Sequence, residues 1–253
     1  MNEKEWKKLL IQGITLLCIV LLCCVYFDKG SCKKEINAAA KDKKPNIEMG
    51  AAAVSTASSI SVESQPKVIV LDAGHGGMDE GASSANRKVQ EKKYTLLLAR
   101  KVKYLLEQKG IIVCMTRTQD ADVTKACRVQ LANTAGAKLF VSIHCNTSDA
   151  WDTSANGLEC LYATNKKALA AKNKKLAKTI LHSLTKTTRL KKRGVIKRNG
   201  LYILRKAKIP STIVEVGYLS NKKDLKTIIK ESGQNAIAQG ISDGIIQALE
   251  GNR

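Results

Sequence analysis

Short β-branched, apolar runs alternate with longer stretches of helical spacing from about residue 67 to the end of the chain. Strand-like runs fall at 67–71, 111–115, 138–143, 157–162, 201–204 and 211–216. Helix-like stretches fall at 91–108, 122–135, 165–184, 222–229 and 234–249. In the first of these, Leu97, Val102, Leu105 and Leu106 contribute to a broad apolar face, and Gly110 is the stop signal. Strands separated by helices of this length predict an α/β domain with a largely parallel sheet covered on both faces. About 190 residues (66–253) suit one domain with a single core.

The amino-terminal part reads differently. Residues 9–27 contain no charge, and as a helix they would span about 28 Å, close to the thickness of a bilayer core. Lys4, Lys7 and Lys8 precede them. The expected arrangement is a short cytoplasmic segment (1–8), a transmembrane signal anchor (9–27) and an extracytoplasmic remainder. A cleaved signal peptide, giving a secreted protein, is the rival. The apolar run is long for a signal core, however, and no small-x-small site follows it closely. Residues 28–65 are rich in Lys, Ala and Ser with little apolar period, and read as a flexible linker.

The net charge of +21 would draw an exported domain toward anionic polymers or the membrane face. Nucleic acid is not an expected partner, because an exported chain seldom meets it and aromatics are only 4% of residues. Cys114, Cys127, Cys145 and Cys160 show no CxxC spacing, so their pairing is open.

Chemistry gathers at strand ends. His75 follows the first strand in Asp72-Ala-Gly-His-Gly-Gly, and His144 ends the run Leu139-Phe-Val-Ser-Ile-His. Ligands of open α/β sheets lie beyond the carboxyl ends of strands, so two imidazoles delivered there are a candidate metal site. Glu215 interrupts the buried-looking run Ser211-Thr-Ile-Val-Glu-Val. A carboxylate there is costly unless it is paired, hydrogen-bonded or metal-associated. Glu159 is a weaker case of the same kind. Glu91 opens a helix, where an acidic side chain is also favoured by the helix dipole alone. Asp72 is positioned either to orient a histidine or to cap the glycine turn. Two histidines and a glutamate are a common catalytic zinc set with an open position for water, and a further glutamate can move protons. These residues point to a zinc hydrolase of an amide or related bond.

The ordered set of motifs resembles the zinc-dependent N-acetylmuramoyl-L-alanine amidases of bacterial cell walls. It comprises Asp72-Ala-Gly-His-Gly-Gly-Met-Asp-Glu-Gly-Ala, Glu91-Lys-Lys, Thr116-Arg-Thr-Gln-Asp, Ala132 to Asn146, and Val214-Glu-Val-Gly-Tyr-Leu-Ser-Asn. The membrane anchor and single domain look most like the sporulation and germination type of Gram-positive spore formers. The resemblance implies a central mixed sheet of about six strands flanked by helices. It implies one zinc ion bound by His75, Glu91 and His144, with Glu215 as catalytic acid/base and peptidoglycan as substrate. Arg205 matches a position near the family's cleft, and Arg205 and Asn146 are the expected substrate-side residues. Arg193-Gly194-Val195 belongs to the same region. A peptidoglycan deacetylase acting in sequence, or an activator protein, is a further expected partner beside the cytoplasmic membrane.

The chain departs from the family pattern at Ala73, where proline is usual, at Cys145, where alanine is common, and at Tyr218, where phenylalanine is common. None of these adds or removes a ligand, and Cys145 should point away from His144 because strand neighbours alternate faces. The segment 146–157 is too short for an inhibitory helix over the zinc, so an open cleft is expected. A zinc peptidase or deacetylase on the same polymer fits the ligand set but not the ordered motifs. A non-catalytic envelope scaffold is disfavoured by retention of all four inferred site residues.

Overall fold

A computed structural model describes residues 66–148 and 152–251. The anchor and linker expected over residues 1–65 lie outside the described residues. Within them, no helix is long and apolar enough to cross a membrane.

Six strands form one sheet: β1 (Val68–Ala73), β2 (Ile112–Met115), β3 (Leu139–Asn146), β4 (Leu158–Tyr162), β5 (Lys192–Lys197) and β6 (Ser211–Tyr218). Their order is β2-β1-β3-β6-β4-β5. All neighbours are parallel except β4 and β6, which run antiparallel, so the sheet is mixed. The helices are α1 (Glu91–Glu107), α2 (Lys125–Thr134), α3 (Lys167–Thr188), α4 (Tyr202–Lys206), α5 (Lys222–Ile229) and α6 (Glu231–Glu250).

The two faces of the sheet are covered unequally, and the inequality positions the site. On one face, Leu71, Val141, Ile143, Val214 and Cys160 pack against Leu98 and Val102 of α1, Ile180 and Leu184 of α3, and Ile241 and Ile245 of α6. Helices α3 and α6 touch closely because Gly240 and Gly244 face α3. A Cβ on Gly244 would stand 2.6 Å from the Ile180 backbone. The opposite face has thinner cover. Val70 and Phe140 meet Val129 and Ala132 of α2, and Leu161 and Ile213 meet Leu204 of α4. Along β3, the residues on this second face continue from Phe140 through Ser142 to His144.

Two elements differ from expectation. The run 201–204 is not a strand: Tyr202–Lys206 is a single short helix that buries Ile203 and Leu204. A four-residue apolar run has no periodicity by which to choose between the two. The sixth strand is instead β5, whose sequence Lys-Arg-Gly-Val-Ile-Lys hides its strand character. It is an edge strand, where charge is tolerated and blunts association.

Candidate active site

The first metal-ligand candidate depends on an unusual turn. His75 adopts φ 61°, a left-handed conformation that side-chain-bearing residues seldom take. Gly74 before it lies against the ring of His144, and a Cβ there would fall 2.4 Å from His144 Cε1. Two buried arginines hold the turn. Arg117 donates from Nε to Ala73 O (2.9 Å) and from Nη2 to Gly74 O (2.9 Å). Arg128 donates from Nη1 to Ala73 O and from Nη2 to His75 O, both at 2.7 Å. Asp79 then meets His75 Nδ1 at 2.9 Å, leaving Nε2 to point inward.

Asp72 does not orient a histidine. It is fully buried and accepts from Thr116 Oγ1, Ser142 Oγ and Arg128 Nη1, each at 2.6 Å. Burial alone would raise its pKa, but Arg128 and the two hydroxyls outweigh it and hold the carboxyl low. Its task is to anchor Arg128, and through Arg128 the His75 turn.

Glu91 is the first residue of α1 but does not cap it. Its side chain is buried, with Oε1 accepting from Cys145 N (2.8 Å) and Oε2 from Ala82 N (2.7 Å). His144 Nδ1 lies 2.9 Å from Oε1, and His75 Nε2 lies 3.1 Å from Oε2. The two rings meet edge to face, with His144 Nδ1 3.1 Å from His75 Nε2. Burial opposes the charge on Glu91, yet both imidazoles outweigh it and hold the carboxyl well below the usual range. Burial likewise opposes protonation of His144, while the hydrogen bond and charge of Glu91 raise its pKa to about 9.

Donor atoms of His75, Glu91 and His144 all lie within 4.8 Å of one another. The arrangement fits zinc: two imidazole nitrogens and a carboxylate converge, and a three-residue set leaves one tetrahedral position open. Backbone N–H groups fix the carboxylate from behind, as the supports of a metal ligand do.

Glu215 stands beside this cluster. It is the register partner of His144 across β3 and β6, and of Glu159 across β6 and β4. The two carboxylates differ in their surroundings. Glu159 Oε1 accepts from Arg193 Nε and from Tyr218 Oη (3.2 Å), with the Arg193 guanidinium 5.1 Å from the Tyr218 ring centroid. Glu215 Oε2 is buried with no hydrogen-bond partner among the described residues. Burial lifts the Glu215 pKa to about 7; His144 opposes the rise, and Glu91 and Glu159 add to it.

A cleft of about 230 Å³ opens over His75, His144 and Glu215. Leu161, Ile213, Leu201, Tyr202 and Ile203 form its apolar wall, and Lys125 also lines it. Asn146 closes β3, with Nδ2 3.5 Å from Glu159 Oε2. Arg205 is exposed in the last turn of α4 and does not line the cleft, although Tyr202 and Ile203 of the same helix do. Cys145 joins the core on the opposite face, where burial pushes its thiol pKa up. It is no soft ligand. Arg117, Arg128 and Asp79 support the site without having been singled out from the sequence. Arg117 and Asp79 fall within motifs that carry the resemblance but had no role assigned there, and Arg128 is one of two basic residues within the helix-like stretch 122–135.

Comparison with known proteins agrees with this geometry. The profile of the Amidase_3 family, N-acetylmuramoyl-L-alanine amidase, matches residues 69–247. The probable cell wall amidase LytH of Staphylococcus epidermidis is 38% identical over 192 residues, covering 74% of this chain and 61% of LytH. The chain thus spans about three fifths of the length of these staphylococcal relatives. The germination-specific N-acetylmuramoyl-L-alanine amidase of Bacillus subtilis is 34% identical over 197 residues, covering 72% of this chain and 79% of that protein. Among solved structures, the catalytic domain of CwlV from Bacillus (Paenibacillus) polymyxa superposes with a TM-score of 0.66 at 37% identity. That match covers 73% of this chain and 98% of CwlV. The CwlD amidase of Clostridioides difficile, solved in complex with the GerS lipoprotein, gives 0.67 at 32% identity, covering 73% and 98%. With the sheet, the motif order and the His-Glu-His cluster all in agreement, the chain belongs to the N-acetylmuramoyl-L-alanine amidase family.

Proposed function

We propose that the chain is a zinc-dependent N-acetylmuramoyl-L-alanine amidase. It hydrolyses the amide between the lactyl group of N-acetylmuramic acid and the L-alanine of the stem peptide. One observation carries the reading: a buried carboxylate oxygen of Glu215 without a partner, next to three converging metal donors at the base of an open cleft.

His75, Glu91 and His144 would hold a zinc ion, which when bound would supply Lewis acidity and make water a stronger acid. The remaining work belongs to the chain. Glu215 takes a proton from the attacking water at a carboxylate oxygen and delivers it to the departing alanine nitrogen. A pKa near neutrality suits it to both steps. The products are a lactyl carboxylate and a free L-alanine amino terminus. Asp79 orients the His75 ring through Nδ1, and the apolar wall beside Glu215 limits water around the reacting atoms. Asn146, at the end of β3, and Arg205, exposed on α4 outside the cleft lining, meet the parts of the polymer that extend beyond the cleft.

The domain works outside the cytoplasmic membrane, tethered by the apolar segment 9–27 and the linker 28–65. Its role is spore-cortex maturation, in which a deacetylase acting in sequence yields muramic lactam, or wall remodelling. Timing of expression separates the two. The lipoprotein found with CwlD supports a search for an accessory activator here.

The test is digestion of purified peptidoglycan by the full chain, with and without a chelator, and mass spectrometry of the fragments. Chelator-sensitive release of stem peptides beginning at L-alanine, lost in Glu215→Ala, is the expected result. Cleaved peptide bonds or free acetate would instead make the enzyme a peptidase or a deacetylase.

A further inference from the structure

Lys125 is out of character with the cleft it lines. Apart from His75, His144 and Glu215, the other lining residues form the apolar wall. Lys125 is the first residue of α2, after the N-cap Thr124, whose hydroxyl accepts from Cys127 N. Its side chain is exposed, and its ammonium has no hydrogen-bond or ion-pair partner among the described residues. The contrast with other basic groups around the site is clear. Arg117 and Arg128 are spent on carbonyls of the His75 turn, Lys92 on Gly77 O and Asp120, and Arg193 on Glu159. Lys125 is therefore the cleft's one permanent positive charge left for a ligand, among the described residues that line it.

We propose that Lys125 is a specificity-determining residue that reads a free carboxylate on the stem peptide. The inference rests on the amidase reading above and names its preferred substrate. A substrate seated over the apolar wall strips water from any ammonium beside it, which is costly unless an anion takes the water's place. A flexible four-carbon stem lets the ammonium reach such an anion without fixing the peptide rigidly. In peptidoglycan, the residue after L-alanine carries an α-carboxyl that is either free or amidated. The free form, one residue beyond the scissile bond, supplies the matching charge, and the amide does not. The helix start adds to the effect, since the amino end of α2 lies behind Lys125 and also favours negative charge.

The experiment compares two muramoyl peptides that differ only in a free or an amidated α-carboxyl at the second residue. The full chain should favour the free acid by about fivefold in kcat/KM, the upper end of what a solvent-accessible ion pair contributes. The preference should lie in KM, because the contact is made equally in the bound state and the transition state. Lys125→Met should bring the ratio to about one, Lys125→Arg should keep it, and high salt should shrink it in the parent only. Equal cleavage of both peptides by the parent, or an undiminished preference in Lys125→Met, would overturn the proposal. Affinity for the same two peptides is measured in parallel on the Glu215→Gln background, where both remain intact. If neither peptide is cleaved by the parent, the amidase reading fails, and the affinity ratio still decides whether Lys125 reads the carboxylate.

Discussion

Replacing Asp72 should weaken both the fold and the metal site, although it touches neither the metal donors nor the cleft. Its carboxylate is fully buried and receives three hydrogen bonds of 2.6 Å. Asp72→Ala leaves the Arg128 charge buried without its counter-ion and orphans the hydroxyls of Thr116 and Ser142. Breaking a buried pair from one side costs about 3–5 kcal/mol. For a domain of this size, about 2–4 °C is lost per kcal/mol, so Tm should fall by roughly 6–20 °C. Asp72→Asn keeps the shape and part of the hydrogen bonding, and should cost less. Its pH dependence follows from the depressed native pKa. The stabilisation is present above the ordinary carboxylate pKa and is lost as pH falls through the lower native value, so the Asn variant should lack this acid-linked part. The second consequence is local. Arg128 also holds Ala73 O and His75 O, and with them the left-handed His75 backbone. Loss of an outer-shell support of this kind lowers metal affinity by about 10–100-fold. Chelator-competition titrations and thermal unfolding of the metal-free and metal-loaded variants measure both effects. A loss below about 1 kcal/mol, outside the range for a broken buried pair, would refute the anchoring role. So would unchanged metal affinity.

Other consequences are as direct. Glu215→Gln should lower kcat by about 10²–10⁴-fold, the span for a general acid/base, while metal content measured by atomic absorption stays at the parental level; loss of the metal would make Glu215 a ligand instead. In the chelated protein His144 is raised to about 9 by Glu91 against the effect of burial, so its contribution to stability is full below pH 6.5 and disappears as pH rises through 9. The same shift requires metal binding at pH 7 to displace a proton from His144. Calorimetry in buffers of different ionisation heat should register its release, and a zero proton count would contradict the arrangement. Gly244→Ala puts a methyl 2.6 Å from the Ile180 backbone and should cost about 1–3 kcal/mol by overpacking, read by denaturant unfolding. An unchanged midpoint would mean that α3 and α6 part freely.

The elements legible in the sequence were those whose burial is local in pattern. β1, β3 and β6 are largely apolar runs containing β-branched residues, and the histidines and Glu215 stood out because each breaks or follows such a run. Glu91 was different. A first-turn glutamate looks the same whether it faces solvent or a metal, and only its bonds to Ala82 N and Cys145 N, made across the fold, distinguish the two. Here the family resemblance supplied what local pattern could not. The roles of Arg117 and Arg128 were hidden for the same reason: the carbonyls of the His75 turn that they hold lie 43 to 55 residues away in sequence. Strand β5 and helix α4 were missed because an edge strand tolerates lysines and a five-residue helix has no period.

The thin cover over one sheet face follows from the charge that this face must carry. Glu159, Glu215 and His144 occupy neighbouring register positions on β4, β6 and β3. A helix laid across them would have to bury two carboxylates and an imidazole with few partners to offer, at a cost of several kcal/mol per ion. The chain instead pairs one carboxylate with Arg193, adds a hydrogen bond from Tyr218, and leaves the other beside the His75–Glu91–His144 cluster. The short helix α4 brings Tyr202 and Ile203 only as far as the cleft wall. The opening is thus the unfilled remainder of a sheet whose next residues cannot be covered by an apolar helix, and Glu215 is the residue that a covering element would leave most exposed to that cost.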